Sequence, residues 1–310
     1  MKKIFIFFAA TSTFLSYSQD PIFLNTNQSL VYLNPSFAGS NGGVRDQLSY
    51  RSQWPGLSSN YVTYLNSFDV YIKPLKAGVA VSVIHDDAGR GTLKTRQFSI
   101  TYAQHLSFAD GKLKIIPSLQ LGGGMKNLDR DNLHFGDMID SRYGVIWNDP
   151  QFFPNTTKLY FNASGGFLAN FKKDLYVGAY VFNFNQPNIG LLGVSKLPPR
   201  LLLHASYNIH LSEQTSLQIF YRYNQQQNIV FNQLSANAIF KNHFIAGVRY
   251  LSNYLALVNL GYRWSFFTLM GGYDINFSKY GLGAGSWEIH TSFSFANKEK
   301  FKAKGNFENY

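Results

Sequence analysis

Hydrophobic and polar residues alternate along most of this chain with a period of two, and Trp287 to Phe295 shows the pattern most clearly. Trp287, Ile289, Thr291, Phe293 and Phe295 share one face, while Glu288, His290, Ser292 and Ser294 share the other, as successive side chains of a β-strand do. Similar segments lie near residues 44–52, 60–72, 75–85, 93–106, 112–124, 157–170, 174–183, 200–210, 214–224, 228–240, 242–250, 253–263, 265–275 and 286–296, which makes fourteen candidate strands. Leu201, Leu203, Ala205, Tyr207 and Ile209 alternate with His204, Ser206 and Asn208; Leu217, Ile219, Tyr221 and Tyr223 alternate with Ser216, Gln218 and Arg222. Three residues break the rule: Phe220 stands on the polar side of its segment, and Leu255 and Leu257 on the polar side of theirs. A soluble sandwich would bury the apolar faces in a core, whereas a membrane barrel turns them to lipid and keeps the polar faces in its lumen.

The connections decide between these. Even-numbered connections are short: Lys73 to Pro74, Ala109 to Gly111, Phe171 to Lys173, Leu211 to Glu213, Lys241 and Trp264. Odd-numbered ones include every long loop: Gln53 to Ser59, Asp86 to Thr92, Met125 to Thr156, Phe184 to Pro199 and Asn276 to Gly285. Segregation of loop length by parity is the mark of an antiparallel outer-membrane barrel, with short periplasmic turns and long extracellular loops. The expected fold is therefore all-β, a transmembrane barrel of about 14 strands over residues 44–296 with both ends in the periplasm.

Composition fits this reading. Lys2 and Lys3 precede an apolar run from Ile4 to Phe14 and small polar residues to Ser18, the layout of an export signal over residues 1–18. Residues 19–43, with Pro21 and Pro35, are expected as a periplasmic amino-terminal segment of extended and turn structure, not helix. Residues 297–310, with Lys298, Lys300, Lys302 and Lys304, are expected as a basic periplasmic tail. The chain has no cysteine, which excludes disulfides and thiolate metal sites. Aromatics make up 17% of it, suited to interfacial girdles. Its formal charge of +11 is spread along an exported chain, which argues for solvated turns and contact with outer-membrane lipid rather than nucleic acid.

Catalytic and metal motifs are weak. His85, Asp86 and Asp87 are consecutive strand residues, which alternate faces and do not converge. There is no G-x-S-x-G elbow, and the histidines lack paired ligand spacing. Asp129 and Asp131 match the start of a calcium loop, but His134 stands where glycine is needed and no glutamate closes the site. No cofactor, metal or catalytic residue is assigned. Arg222, Arg249, Arg263 and Glu288 face the lumen, where they either line a pore or pair and close it. The loop from Met125 to Thr156 is long enough to be functional or disordered; Trp147, Phe152 and Phe153 in it suit partner contact or folding over the mouth.

Tyr32-Leu33-Asn34-Pro35-Ser36-Phe37-Ala38-Gly39, followed by Tyr50-Arg51-Ser52-Gln53-Trp54-Pro55-Gly56, resembles the amino-terminal signature of the PorP/SprF family of Bacteroidota outer-membrane proteins. Gly78 to Asp87 with Gly89 is similar as well, so the likeness spans the mature chain. The resemblance implies a non-enzymatic component of the type IX secretion system, linked in some members to gliding motility, that assists export or surface attachment of a secreted adhesin-like client. It points to the client and other type IX components as partners, with Asn34, Pro35, Phe37, Gly39, Trp54, Trp147, Phe152 and Phe153 as candidate contacts; Asn34, Pro35, Phe37 and Gly39 suit equally well a plug or brace of the barrel. A passive porin or hydrophobic-solute channel shares every barrel feature and is the alternative.

The parity of the loops makes a topological prediction. Cysteines introduced at Asp137 and Lys302 are expected to label from opposite sides of the outer membrane; labelling of both from outside intact cells would overturn the topology.

Overall fold

The computed structural model describes residues 23–24, 29–56, 60–129, 133, 139–145, 156–252, 255–277 and 285–295; the expected export signal, the basic tail, and Trp147, Phe152 and Phe153 lie outside the described residues. The barrel strands in chain order are β1 (Val44–Gln53), β2 (Tyr61–Ile72), β3 (Ala77–Ala88), β4 (Leu93–Gln104, continuing as Leu106–Phe108), β5 (Leu113–Leu128), β6 (Thr156–Phe171) and β7 (Leu175–Phe182). They continue with β8 (Arg200–His210), β9 (Ser216–Gln226), β10 (Ile229–Phe240), β11 (Phe244–Leu251), β12 (Leu255–Arg263), β13 (Phe267–Asn276) and β14 (Ser286–Phe295). Each strand pairs antiparallel with its neighbours in sequence, and β1 pairs with β14 from Val44↔Phe295 to Ser52↔Trp287, which closes the ring.

Register fixes the shape. Stepping sideways between paired residues from Thr157 on β6, through Asn127, Val62, Trp287, Val258, Ile219 and Leu175, returns to Phe171 on the same strand, a stagger of 14 residues. Stagger equal to strand number tilts the strands by about 40° from the barrel axis.

The outer wall is apolar and the interior polar. Ile100, Leu121, Leu203, Leu234, Val248 and Val258 are exposed, whereas Ser67, Thr101, His204, Gln218, Asn237 and Asn259 are buried. Aromatic clusters girdle both ends. At the long-loop end Tyr50 packs between Tyr64, edge to face, and Trp287, with ring centroids 4.9 and 4.8 Å away. At the short-turn end Phe244, Tyr262 and Trp264 follow one another at 4.9 and 4.5 Å, and Phe267 meets Phe293 at 4.7 Å.

Strand boundaries depart from the sequence reading in two places. β3 runs through Asp86 and Asp87 to Ala88, because Asp86 accepts a hydrogen bond from the Thr63 hydroxyl at 2.6 Å on the paired strand. The connection is thus residues 89–92, not a loop from Asp86. β5 likewise continues to Leu128, paired on both sides.

The larger departure concerns residues 19–43. Their described part lies inside the barrel, not in the periplasm, and it contains a helical turn, Leu30–Leu33, and a 3-10 turn, Pro35–Phe37. Phe23, Leu30, Val31, Leu33 and Phe37 are buried. Within the lumen the main chain has little water to bond, so local turns satisfy part of it.

Ile100 lies near mid-height on the outer wall with 51% of its surface exposed. Ile100→Arg is expected to destabilise the barrel by about 2–4 kcal/mol, while Leu192→Arg on an exposed connection stays within about 0.5 kcal/mol. Urea titration followed by heat-modifiable migration checks this, and equal losses would contradict the lipid-facing assignment.

Candidate functional site

The lumen, built from the strand pattern described above, is a socket for the amino-terminal segment, whose described residues are 23–24 and 29–43. Asn34 organises the segment. Its Oδ1 accepts from Ser36 N–H at 3.0 Å, which starts the turn at Pro35, a residue suited to a first helical position. Its Nδ2 lies within bonding distance of the carbonyls of Phe167 and Ala179 (3.0 and 3.3 Å) and of His204 Nε2 at 3.1 Å. Gly166 on β6 makes room for it, since a Cβ there would stand 2.4 Å from Asn34 Oδ1.

At the short-turn end the seat is an ionic clamp. Asp69 receives Gly39 N–H at 2.8 Å and pairs with Arg45 at 2.8 Å, while Arg45 also donates to Phe37 O at 2.9 Å. His105 Nε2 lies 2.9 Å from Ala38 O. Gly39 has φ +68°, and the chain there passes so close to β3 that a Cβ on Gly78 would stand 1.9 Å from Ala38 O. This requires glycine at both positions.

Toward the long-loop end a second network holds the other end of the segment. Glu288 accepts Leu24 N–H at 2.8 Å and pairs with Arg51, which also binds Asp274 at 3.0 Å. Leu24 O receives Gln233 Nε2 at 3.2 Å and Arg249 Nη1 at 3.4 Å, and Phe23 O receives Arg222 Nη1 at 3.3 Å. Buried charges of this kind are tolerated only when paired and hydrogen-bonded. Five of the scattered basic residues, Arg45, Arg51, Arg200, Arg222 and Arg249, are therefore buried in the lumen and not in solvated turns or against lipid.

Apolar side chains complete the socket. Leu30, Leu33 and Phe37 cluster with Ile116, Leu168, Tyr176, Leu202 and Phe220, and Leu24 clusters with Phe231, Leu251 and Leu257. Phe220 and Leu257, which break the alternation in sequence, thus face inward to receive the segment. Among the described residues Ser82 Oγ and Asn162 Oδ1 have no hydrogen-bond partner, and both residues line a small pocket beside Tyr32, a setting for ordered water.

One trio has the connectivity of a hydrolytic triad. Ser49 Oγ lies 2.8 Å from His290 Nδ1, and His290 Nε2 lies 3.1 Å from Glu288 Oε2. Its members are committed to the segment: Ser49 also bonds Ser29, and Glu288 binds Arg51 and Leu24 N–H. All three are buried.

Of the candidate contact residues, Asn34, Pro35, Phe37 and Gly39 are brought together, and all four are buried in the lumen. Trp54 is apart from them, half-buried at the long-loop rim with its ring 5.8 Å from Tyr61. His85 and Asp86 turn to opposite faces, the former beside Tyr64 and the latter toward Thr63. In the connection between β5 and β6, Asp140 caps the turn of a small hairpin, Ile139–Asp140 with Gly144–Val145; the N–H groups of Arg142 and Tyr143 hold its carboxyl below the usual range.

These features define an outer-membrane β-barrel whose lumen is filled by its own amino-terminal segment. The chain belongs to the PorP/SprF family: the model of the type IX secretion system membrane protein PorP/SprF matches residues 15–293. Among solved structures it is similar to the Ralstonia pickettii toluene transporter TbuX, with 11% identity, a TM-score of 0.57 and coverage of 86% of this chain and 94% of that one. It is also similar to the CymD monoaromatic hydrocarbon channel, with 13% identity, a TM-score of 0.50 and coverage of 86% and 93%. At these identities the likeness concerns the fold. No curated protein matches the chain by sequence.

The contact between Gly78 and Ala38 makes the segment's seating testable. Gly78→Val is expected to leave a folded, heat-modifiable barrel but to expose a Ser36→Cys thiol that is protected in the parent. Unchanged protection would show that the segment is not seated there.

Proposed function

We propose that this protein is a non-enzymatic outer-membrane component of the type IX secretion system that docks a large secreted adhesin-like client, together with other secretion components, at its extracellular face. Where the client serves movement, the protein contributes to gliding motility. The observation that carries this reading is the occupied lumen of a family member. Hydrogen bonds to the main chain of Leu24 and Gly39, made by charged groups that are themselves in buried ion pairs, hold the described part of the segment inside the ring, so a passive route would first have to break them. Docking then falls to surfaces outside the lumen, chiefly the long connection between β5 and β6 that carries Trp147, Phe152 and Phe153. The buried signature residues Asn34, Pro35, Phe37 and Gly39 serve this function by filling the barrel, not by touching the client.

Replacing residues 130–155 by a short turn is expected to leave the barrel inserted, because loop length contributes little to stability, and to abolish surface display of the client. Display is measured by protease shaving of intact cells. Survival of display, together with toluene uptake by vesicles containing the protein, would favour a hydrophobic-solute channel instead.

A further inference from the structure

The ring contains a step beside β6. β6 spans Thr156–Phe171, but β7 covers only Leu175–Phe182 and pairs with it no higher than Gly165. Lys172 N–H donates to Lys112 O, so even-numbered residues of β6 turn their main-chain groups to β5 and odd-numbered ones turn theirs to the β7 side. Above Gly165 the chain leaving β7 covers one position. Phe184 N–H donates to Ala163 O, and the carboxamide of Asn185 accepts Ala163 N–H at 2.9 Å while donating to Phe161 O at 2.8 Å. Higher up, among the described residues, no hydrogen bond reaches the N–H of Phe161 or the main-chain N–H and C=O of Leu159 and Thr157.

We propose that this upper edge of β6, from Thr157 to Phe161, is a strand-addition site that takes an extended segment of a partner polypeptide at the extracellular rim. Three observations favour that occupant. The unpaired donors and acceptors repeat every second residue, as an added strand requires. The Asn185 carboxamide, chemically a peptide group, already fills the adjoining position. The outward side chains Leu159 and Phe161 are 71% and 58% exposed and offer an apolar stripe to alternate residues of an incoming strand. Exposed edges are ordinarily blunted by proline or charge; here the open positions Thr157, Leu159 and Phe161 are uncharged, and the one charge between them, Lys158, stands on the opposite, inward face of the strand. The inference goes beyond the secretory reading and stands without it.

The geometry also supplies the test. Proline at 157 and 159 removes donors from the open edge and leaves the even-numbered bonds to β5 untouched. A fluorescent peptide of alternating valine and threonine is titrated against the full-length protein in nanodiscs and followed by anisotropy. Saturable binding is expected. It should weaken about tenfold in the Thr157→Pro, Leu159→Pro double variant, persist in Leu159→Ala, and vanish for the same peptide N-methylated at alternate residues. The methylated peptide decides the matter if the proline variant fails to fold. Equal binding by the methylated peptide, no saturable binding by the parent, or disulfide cross-linking of Leu159→Cys only to a second copy of this chain would overturn the proposal.

Discussion

Hydrocarbon offers no partner to a peptide group, so each N–H and C=O that crosses it must be paired within the protein. Here that demand is met by the β1–β14 ladder that completes the ring. Closure forces alternate side chains inward, and most are polar because the outward ones face lipid. An interior lined with Arg45, Arg51, Asp69, Asp274 and Glu288 in turn requires counter-groups. The barrel obtains them partly by pairing charges across strands and partly from the main chain of the amino-terminal segment. The filling of the lumen thus follows from the way the wall is made.

The wall was legible in the sequence because it depends on a local rule. Glu288 and His290 turn inward while Ile289 and Phe293 turn outward, as their alternation requires, and the fourteen strands and the parity of their loops follow from the same pattern. The content of the lumen depends on contacts between residues far apart in the chain. Asn34 meets Phe167, Ala179 and His204, and no periodicity near residue 34 encodes those neighbours. Phe220, Leu255 and Leu257 were the readable trace: apolar side chains on a polar face need something apolar to cover them. Asn34, Pro35, Phe37 and Gly39 were recognisable as a group, but what they touch was not, because burial and exposure look alike in so short a motif.

The two ends of the segment are held differently. At the short-turn end the contact is steric as well as ionic, with Gly39 against Gly78 and Asp69 between Arg45 and the Gly39 amide. Near Phe23 and Leu24 the contacts are side chains reaching to carbonyls and one amide. Buried ion pairs contribute little net stability against a hydrophobic alternative, but they are costly to break. Such an arrangement fixes where the segment sits more than it strengthens the barrel.

The segment enters β1 directly, and β1 is one of the two strands that seal the ring. The described residues of the segment, 23–24 and 29–43, lie inside the ring that this pairing closes. Asn34, Ala38 and Gly39 touch the inner faces of β2, β3, β6 and β7. The pairing that seals the wall therefore also encloses what the wall surrounds. An empty ring of the same strands would leave its inward arginines and carboxylates to water.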